Sequence, residues 1–306
     1  MNHALPYDAV IVGGSFAGLS AAMQLARARR PVLVIDAGQP RNRFASHSHG
    51  VLALDGRAGG DILDETRTQL ARYPTVSLLT GEVAQIEAWD GGFRVETSDG
   101  QRAEGRRLVL ATGITDILPD VPGLTPRWGK TVLHCPYCHG YEVGGGPIGV
   151  LAAAGPLSVH QASLIADWGE VTLFANGVDF DQAARTVLAR RSVAIEPVPV
   201  VAIEGAAPVI DGIRLGDGRL VAVKALFVAA PNRMASGLAA ALGCAFDQTP
   251  LGAIIRTDSS KLTTVPGVYA AGDAARAMAN ITFAAADGVQ AGLGLHHQLI
   301  AEEVAA

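Results

Sequence analysis

The sequence predicts an α/β protein with two doubly wound βαβ units, the second carrying a degenerate turn, and three observations lead to this. An apolar run, Tyr7–Val12, ends in Gly13-Gly14-Ser15-Phe16-Ala17-Gly18, after which Leu19, Ala22, Met23, Leu25 and Ala26 recur at helical spacing. The same order of strand, turn and helix returns at Ile148–Leu151, Ala152–Pro156 and Leu157–Trp168, with a further strand at Val171–Phe174. Between the two copies stands L-H-C-P-Y-C-H-G-Y-E, Leu133–Glu142, whose two thiols at Cys135 and Cys138 are spaced to close a small disulfide ring.

Size and composition agree. A chain of 306 residues has room for two domains, and 17% charged against 49% hydrophobic residues suits a packed α/β protein rather than a disordered one. A formal net charge of −5 leaves no basic footprint, so nucleic acid is not an expected partner. No run approaches the roughly 18 apolar residues of a membrane helix, and the first residues lack the charged and apolar regions of a signal peptide. A soluble, cytoplasmic protein is expected. Three cysteines are too few for a secreted disulfide scaffold, and in a reducing compartment a C-x-x-C pair is more often catalytic than structural.

Taken in order, the first copy is a dinucleotide fingerprint in its proper context, a Rossmann-like unit. Gly13 serves the tight turn, Gly18 the close packing of helix on strand, and Ala17 lies between turn and helix. Ser15 replaces the middle glycine, with a small side chain able to hydrogen-bond a phosphate. The second strand, Pro31–Ile35, ends in Asp36, 23 residues after Gly13 and placed to hold a ribose. The polar loop Arg41–Gly50 has the chemistry to touch a cofactor through Arg41 and His49, although His47 and His49 could equally be solvated. A helix is predicted over Gly60–Tyr73. Strands are predicted over Ser77–Ala88, Gly92–Thr97 and Arg107–Leu110, with turns at Asp90-Gly91-Gly92 and Asp99-Gly100. The last strand runs into Ala111-Thr112-Gly113, where backbone can approach the cofactor, and Asp120–Gly123 reads as a linker.

The second copy is damaged as a nucleotide site. Alanines at 152 and 154 replace the first two glycines, and their Cβ atoms would crowd a pyrophosphate. After its second strand comes Phe174-Ala175-Asn176-Gly177, with neither an acid for a ribose nor an arginine for a 2′-phosphate. The chain closes with a strand at Leu226–Ala230, then G-V-Y-A-A-G-D, which delivers Gly272 and Asp273. A helix opening at Ile281-Thr282-Phe283 follows, its positive end suited to an electron-rich ring. Cys244 is expected to be a buried apolar residue.

At the cysteines, Pro136 suits the first turn of a helix, whose unpaired N–H groups would stabilise a neighbouring thiolate and so favour thiol–disulfide exchange. Zinc is the first alternative, but adjacent Cys–His pairs converge poorly on one tetrahedron and no second ligand pair is present. A c-type haem would read C-x-x-C-H literally but requires export. A glutaredoxin would place C-P-Y-C after the first strand of a far shorter chain. His139, with His134 in reserve, is the candidate proton shuttle, because an imidazole titrates near working pH and a free thiol about two units higher.

Together, Gly13–Gly18 with Asp36, A-T-G at 111–113, C-x-x-C at 135–138 and A-A-G-D at 270–273 resemble the low-molecular-weight thioredoxin reductase family across nearly the whole chain. C-P-Y-C-H-G-Y-E, G-G-S-F-A-G-L-S-A-A and T-F-A-A-A-D-G resemble its branch of FAD-dependent dithiol oxidases that close disulfides in gliotoxin- and holomycin-type natural products. The resemblance implies two Rossmann-like FAD/NAD(P)-binding domains. The FAD domain would be discontinuous, 1–114 and 237–306, around a central domain, 115–236, that carries the redox pair. It further implies a homodimer, Asp273 at the ribityl–phosphate region and Val83 near adenine. Reductases of the family carry an aspartate after the second cysteine, where His139 stands here, and an intact second glycine motif followed by a basic pair. The loss of that glycine motif and of the basic pair argues against NADPH-dependent reduction, and His139 stands there as in the oxidase branch. The leading expectation is a thiol oxidase that takes electrons from a small dithiol through Cys135–Cys138 to FAD and then O2, giving H2O2. The rivals are a disulfide reductase fed by NAD(P)H or by a protein such as ferredoxin, and a flavin-binding redox sensor without turnover.

Overall fold

Buried residues fill β1 (Tyr7–Val12) on both faces, from Ala9 onward, as in a strand of a sheet covered on either side. The computed structural model describes residues 7–89, 91–153 and 155–305. From β1 the chain turns into α1 (Phe16–Arg27), returns as β2 (Val32–Asp36), and continues through α2 (Gly59–Leu70) to β3 (Val76–Thr80). An antiparallel meander follows: β4 (Val83–Trp89), β5 (Gly92–Thr97) and β6 (Arg102–Leu110). The sheet order is β3-β2-β1-β6-β5-β4.

The predicted single strand over Ser77–Ala88 is therefore two. Gly81 and Glu82 break it, because β3 finds its hydrogen bonds on β2 and β4 finds its own on β5, at opposite edges of one sheet. The last strand of the meander also begins earlier than its apolar stretch, at Arg102, since the half-exposed hairpin needs only one apolar face.

After the short β7 (Ile114–Asp116) come β8 (Val132–Leu133), α3 (Pro136–Val143), β9 (Pro147–Leu151), α4 (Gly155–Ile165), β10 (Glu170–Phe174), α5 (Gln182–Arg190) and β11 (Ala194–Glu196). A three-stranded meander, β12 (Val200–Glu204), β13 (Gly212–Leu215) and β14 (Leu220–Val221), leads into β15 (Ala225–Val228). The central sheet here is wholly parallel, in the order β11-β10-β9-β15-β8. Arg127, only 3% exposed, joins loop to meander by donating to the carbonyls of Gly123 (2.7 Å), Val209 (3.0 Å) and Gly205. The chain ends with β16 (Asn232–Met234), α6 (Leu238–Ala241), the hairpin β17 (Phe246–Thr249) and β18 (Gly252–Ile255), then β19 (Val268–Ala270), which pairs with β6, and the long α7 (Ile281–Ala305).

Backbone contacts divide the chain into two units: residues 1–43, 60–115 and 233–306, and residues 44–59 with 116–232. The loop 44–59, assigned from sequence to the first domain, clusters with the second unit; within it, Phe44 lies against Gly129, where a Cβ on the glycine would meet the Phe44 Cβ at 2.5 Å. Among the described residues no helix is long and apolar enough to cross a membrane.

In the first unit α7 lies directly on α1, because a Cβ at Gly288 would stand 2.0 Å from the Ala17 carbonyl oxygen and one at Gly292 2.9 Å from that of Ala21. The contact buries Asp287, which pairs with Lys261 at 2.8 Å and with Arg276 at 2.6 Å. Burial alone would push this carboxyl up, but the two cations outweigh it and hold it below the usual carboxylate range. A depressed folded-state value stabilises the protein above the unfolded carboxyl's titration, and that stabilisation is lost as pH falls through the folded one. Asp287→Asn should therefore lower the melting temperature at neutral pH and flatten its fall below about pH 4. Thermal melts of both proteins from pH 3 to 7 measure this, and parallel curves would contradict the assignment.

Candidate active site

Among the candidate residues, Gly13, Asp36, Ala111 and Gly272 lie at the carboxyl ends of the first unit's parallel strands. Gly13 follows β1 with φ of +104°, and a Cβ there would stand 2.3 Å from the Ala111 carbonyl oxygen, at the end of β6. A Cβ on Gly18 would come within 1.8 Å of the Gly13 oxygen, so only glycine lets α1 start this close to the turn. Ser15 is the N-cap of α1 and spends no side-chain hydrogen bond on the helix, and the first turn holds no acid. Its N–H groups and positive end are thus left for an anion.

Asp36 closes one side of the turn, accepting from the Gly14 N–H at 3.0 Å and from Arg67 Nη2 at 3.0 Å. Arg67 also donates to the Gly14 carbonyl at 3.2 Å. This residue of α2 was missed in the sequence, where it reads as one more charge on a solvated helix face. On the other side Gly272 faces Ala17, so closely that a Cβ on the glycine would stand 2.8 Å from the alanine's own, and Arg41 pairs with Asp273 at 3.1 Å. Thr112 and Gly113 continue from Ala111, and Ile281 and Thr282 open α7. Val83 is buried in the apolar cluster that holds Val12 and Ile35, the residues preceding Gly13 and Asp36. The geometry fits a dinucleotide: a cradle that any Cβ would fill, a helix start free for phosphate, and an acid at the end of the second strand.

The second unit holds the cysteine pair. Cys135 is the N-cap of α3, Pro136 its first residue, and Cys135 and Cys138 form a disulfide. The preceding His134 is anchored at both ends, its Nδ1 3.3 Å from the Val228 carbonyl of β15 and its own carbonyl accepting from Gln161 Nε2 at 2.8 Å. Gln161 also went unread in the sequence, being an ordinary polar position within α4. Its Oε1 is buried without a hydrogen-bond partner. Behind the pair, Gly140 lies against Trp168, whose ring also meets Tyr137 edge-on at 5.8 Å. Tyr137 and Tyr141 are exposed. Burial pushes the His139 imidazole below its usual value, Glu142 draws it back up, and His49 adds to the lowering. His49, expected at the cofactor, stands 3.3 Å from Glu142.

Ala152 is buried at the end of β9, while Ala154, named from sequence as blocking a pyrophosphate, lies outside the described residues. Past β10, the Asn176 side chain accepts from the Val200 N–H at 3.1 Å. On or just after α5, Arg185 pairs with Asp179 at 3.0 Å and Arg191 with Asp167. Cys244 is buried, as its apolar surroundings in sequence imply, and its thiol is pushed up by that burial.

Residues 7–288 match the pyridine nucleotide-disulphide oxidoreductase family. The chain belongs to this family. It is 35% identical over 308 residues to the thioredoxin reductase tcpT of Claviceps purpurea, covering 96% of this chain and 95% of that one. Among solved structures, the oxidoreductase from Agrobacterium tumefaciens superposes with a TM-score of 0.92 at 45% identity, covering 97% of this chain and 99% of the other. HlmI superposes with a TM-score of 0.92 at 38% identity, covering 100% and 96%. The fold is thus that of the thioredoxin reductase-like flavoproteins, and the protein is an FAD-dependent oxidoreductase acting on sulfur groups.

Proposed function

We propose that this protein is a thiol oxidase that closes a disulfide in a small dithiol. The observation that carries the reading is the state of the second turn: Ala152 is buried where the first glycine of a nicotinamide site belongs, and Asn176 is tied to Val200 where a ribose- or phosphate-binding residue would stand. Electrons then enter by sulfur.

In this reading a substrate thiolate attacks Cys135, forming a mixed disulfide as the Cys135–Cys138 bond breaks. The second substrate thiol attacks the substrate sulfur of that mixed disulfide, and Cys135 leaves. Two substrate S–H groups are exchanged for two cysteine S–H groups. Cys135, at the start of α3, benefits as a thiolate from the helix's positive end. His139, kept largely neutral by burial, accepts the substrate proton and returns it to the departing cysteine, with His134 in reserve. FAD would be held by Gly13, Ser15, Ala17, Gly18, Asp36, Arg41, Ala111, Thr112, Gly113, Gly272 and Asp273, with Val83, Ile281 and Thr282 bordering the site, and would supply two-electron acceptor chemistry, with O2 as the terminal oxidant. The same reading includes a homodimer and a cytoplasmic location.

The name borne by tcpT favours a second reading, a reductase drawing on NAD(P)H. Anaerobic mixing of the purified yellow protein with dithiothreitol, NADH or NADPH in turn separates the two. The expected result is bleaching by the dithiol alone, reversed by air with release of peroxide. Rapid bleaching by NADPH would replace the oxidase with the reductase.

A further inference from the structure

Cys135, Cys138, His139 and Glu142 occupy positions i, i+3, i+4 and i+7 from the N-cap of α3, so that the helix turns all four toward one face. Tyr137 and Tyr141 fall off this face and are exposed. From the loop 44–59 of the same unit, His49 Nδ1 reaches within 3.3 Å of Glu142 Oε1 and 3.8 Å of Asp55 Oδ1. The His47 ring lies 6.4 Å from that of His49. The groups are graded in exposure: His139 and His49 are half-buried, while Glu142 is open to solvent.

We propose that Glu142, which also faces His49, is a positioning residue that sets the proton affinity of His139 and connects it to solvent during disulfide exchange at Cys135–Cys138. Each exchange takes one proton from an attacking thiol and gives one to a departing cysteine, with one S–S bond formed for each broken. When the two events are not simultaneous, a proton must be stored near the sulfurs. A half-buried imidazole with a carboxylate beyond it can store that proton, because the carboxylate's charge offsets the cost of burying an imidazolium. The groups bearing on His139 are Glu142, which favours its protonated form, and His49, which opposes it. His49 is faced in turn by Asp55 and His47. The segment 44–59 thereby acquires a role in sulfur chemistry. The inference rests on the oxidase reading in taking a dithiol as the attacking reagent.

The test follows the disulfide rather than turnover. Holoenzyme is mixed anaerobically with dithiothreitol at a series of pH values, quenched with an alkylating reagent, and the alkylation of Cys135 and Cys138 is counted by mass spectrometry. Glu142→Gln is expected to slow exchange about tenfold at neutral pH, less than the 10²–10⁴ of a group that itself carries the proton, and to move the inflection of the pH–rate curve downward. Glu142→Asp should restore both, and His49→Gln should move the inflection upward, since it removes a group that opposes protonation of His139. Opposite shifts from two neighbouring substitutions are not produced by loosened packing. An unmoved inflection in Glu142→Gln, or shifts of the same sign in both variants, overturns the positioning role while leaving the oxidase intact. A wild-type disulfide that dithiothreitol does not open overturns the oxidase and this inference with it.

Discussion

Cys138→Ser is expected to abolish bleaching by dithiols while the protein stays yellow. Cys135 and Cys138 are joined in the second unit, whereas the cradle made by Gly13, Gly18 and Asp36 is built in the first, so the substitution removes the redox pair without touching a residue that would hold the flavin. With serine at 138 no disulfide exists for a thiolate to attack. Serine is nearly isosteric with cysteine, and α3 keeps its N-cap and its proline. The loss should be at least about 10³-fold, since groups that act as a unit fail together when one is removed. Anaerobic stopped-flow absorbance with dithiothreitol gives the rate, and the visible spectrum of the resting variant gives the flavin content. A variant that still bleaches at a tenth of the wild-type rate or faster would show that electrons bypass this pair.

Gly18→Ala should yield colourless, less stable protein. The added Cβ would lie 1.8 Å from the Gly13 carbonyl oxygen and 3.2 Å from Ile11 Cγ2, and the nearer obstacle is backbone, which cannot rotate away. Relief requires α1 to lift from β1, and α1 also carries the Ala17 and Ala21 carbonyls on which Gly288 and Gly292 of α7 rest. Overpacking a core costs about 1–3 kcal/mol, and here the strain falls on the turn that positions the anion-binding end of the helix. Flavin loss should be near complete and the melting temperature should drop by several degrees, about what 2 kcal/mol produces in domains of this size. The ratio of absorbance at 450 nm to that at 280 nm, with melts before and after adding FAD, decides it. Full retention of flavin by Gly18→Ala would mean that the cradle is looser than its packing indicates.

Much of this site is legible in the sequence because its signals are local. The glycine turn and Asp36 sit within one βαβ unit, where strand and helix lengths bring turn and acid together whatever the rest of the chain does. The cysteine pair is likewise spaced by a single helical turn. Less legible were groups recruited across sequence: Arg67, arriving from α2 to clamp Asp36; Gln161, reaching from α4 to the His134 carbonyl; and Arg127, satisfied by carbonyls from 123, 205 and 209. Each looks in sequence like any exposed polar residue, since burial and partner are properties of packing. Glu142 is the intermediate case. Its i+7 spacing from Cys135 was there to be read, but its partner His49 was not.

The linear order of residues, unaided, determined the two βαβ units, the fingerprint that holds a dinucleotide and the thiol pair, because each depends on backbone geometry over a few neighbouring positions. Tertiary structure alone decided that Ser77–Ala88 divides between two edges of one sheet, that the loop 44–59 joins the second unit, and that His49 meets Glu142 there. Which distant segment satisfies a hydrogen bond or a charge is settled by the lowest free energy of the whole packed chain, and no local spacing encodes it.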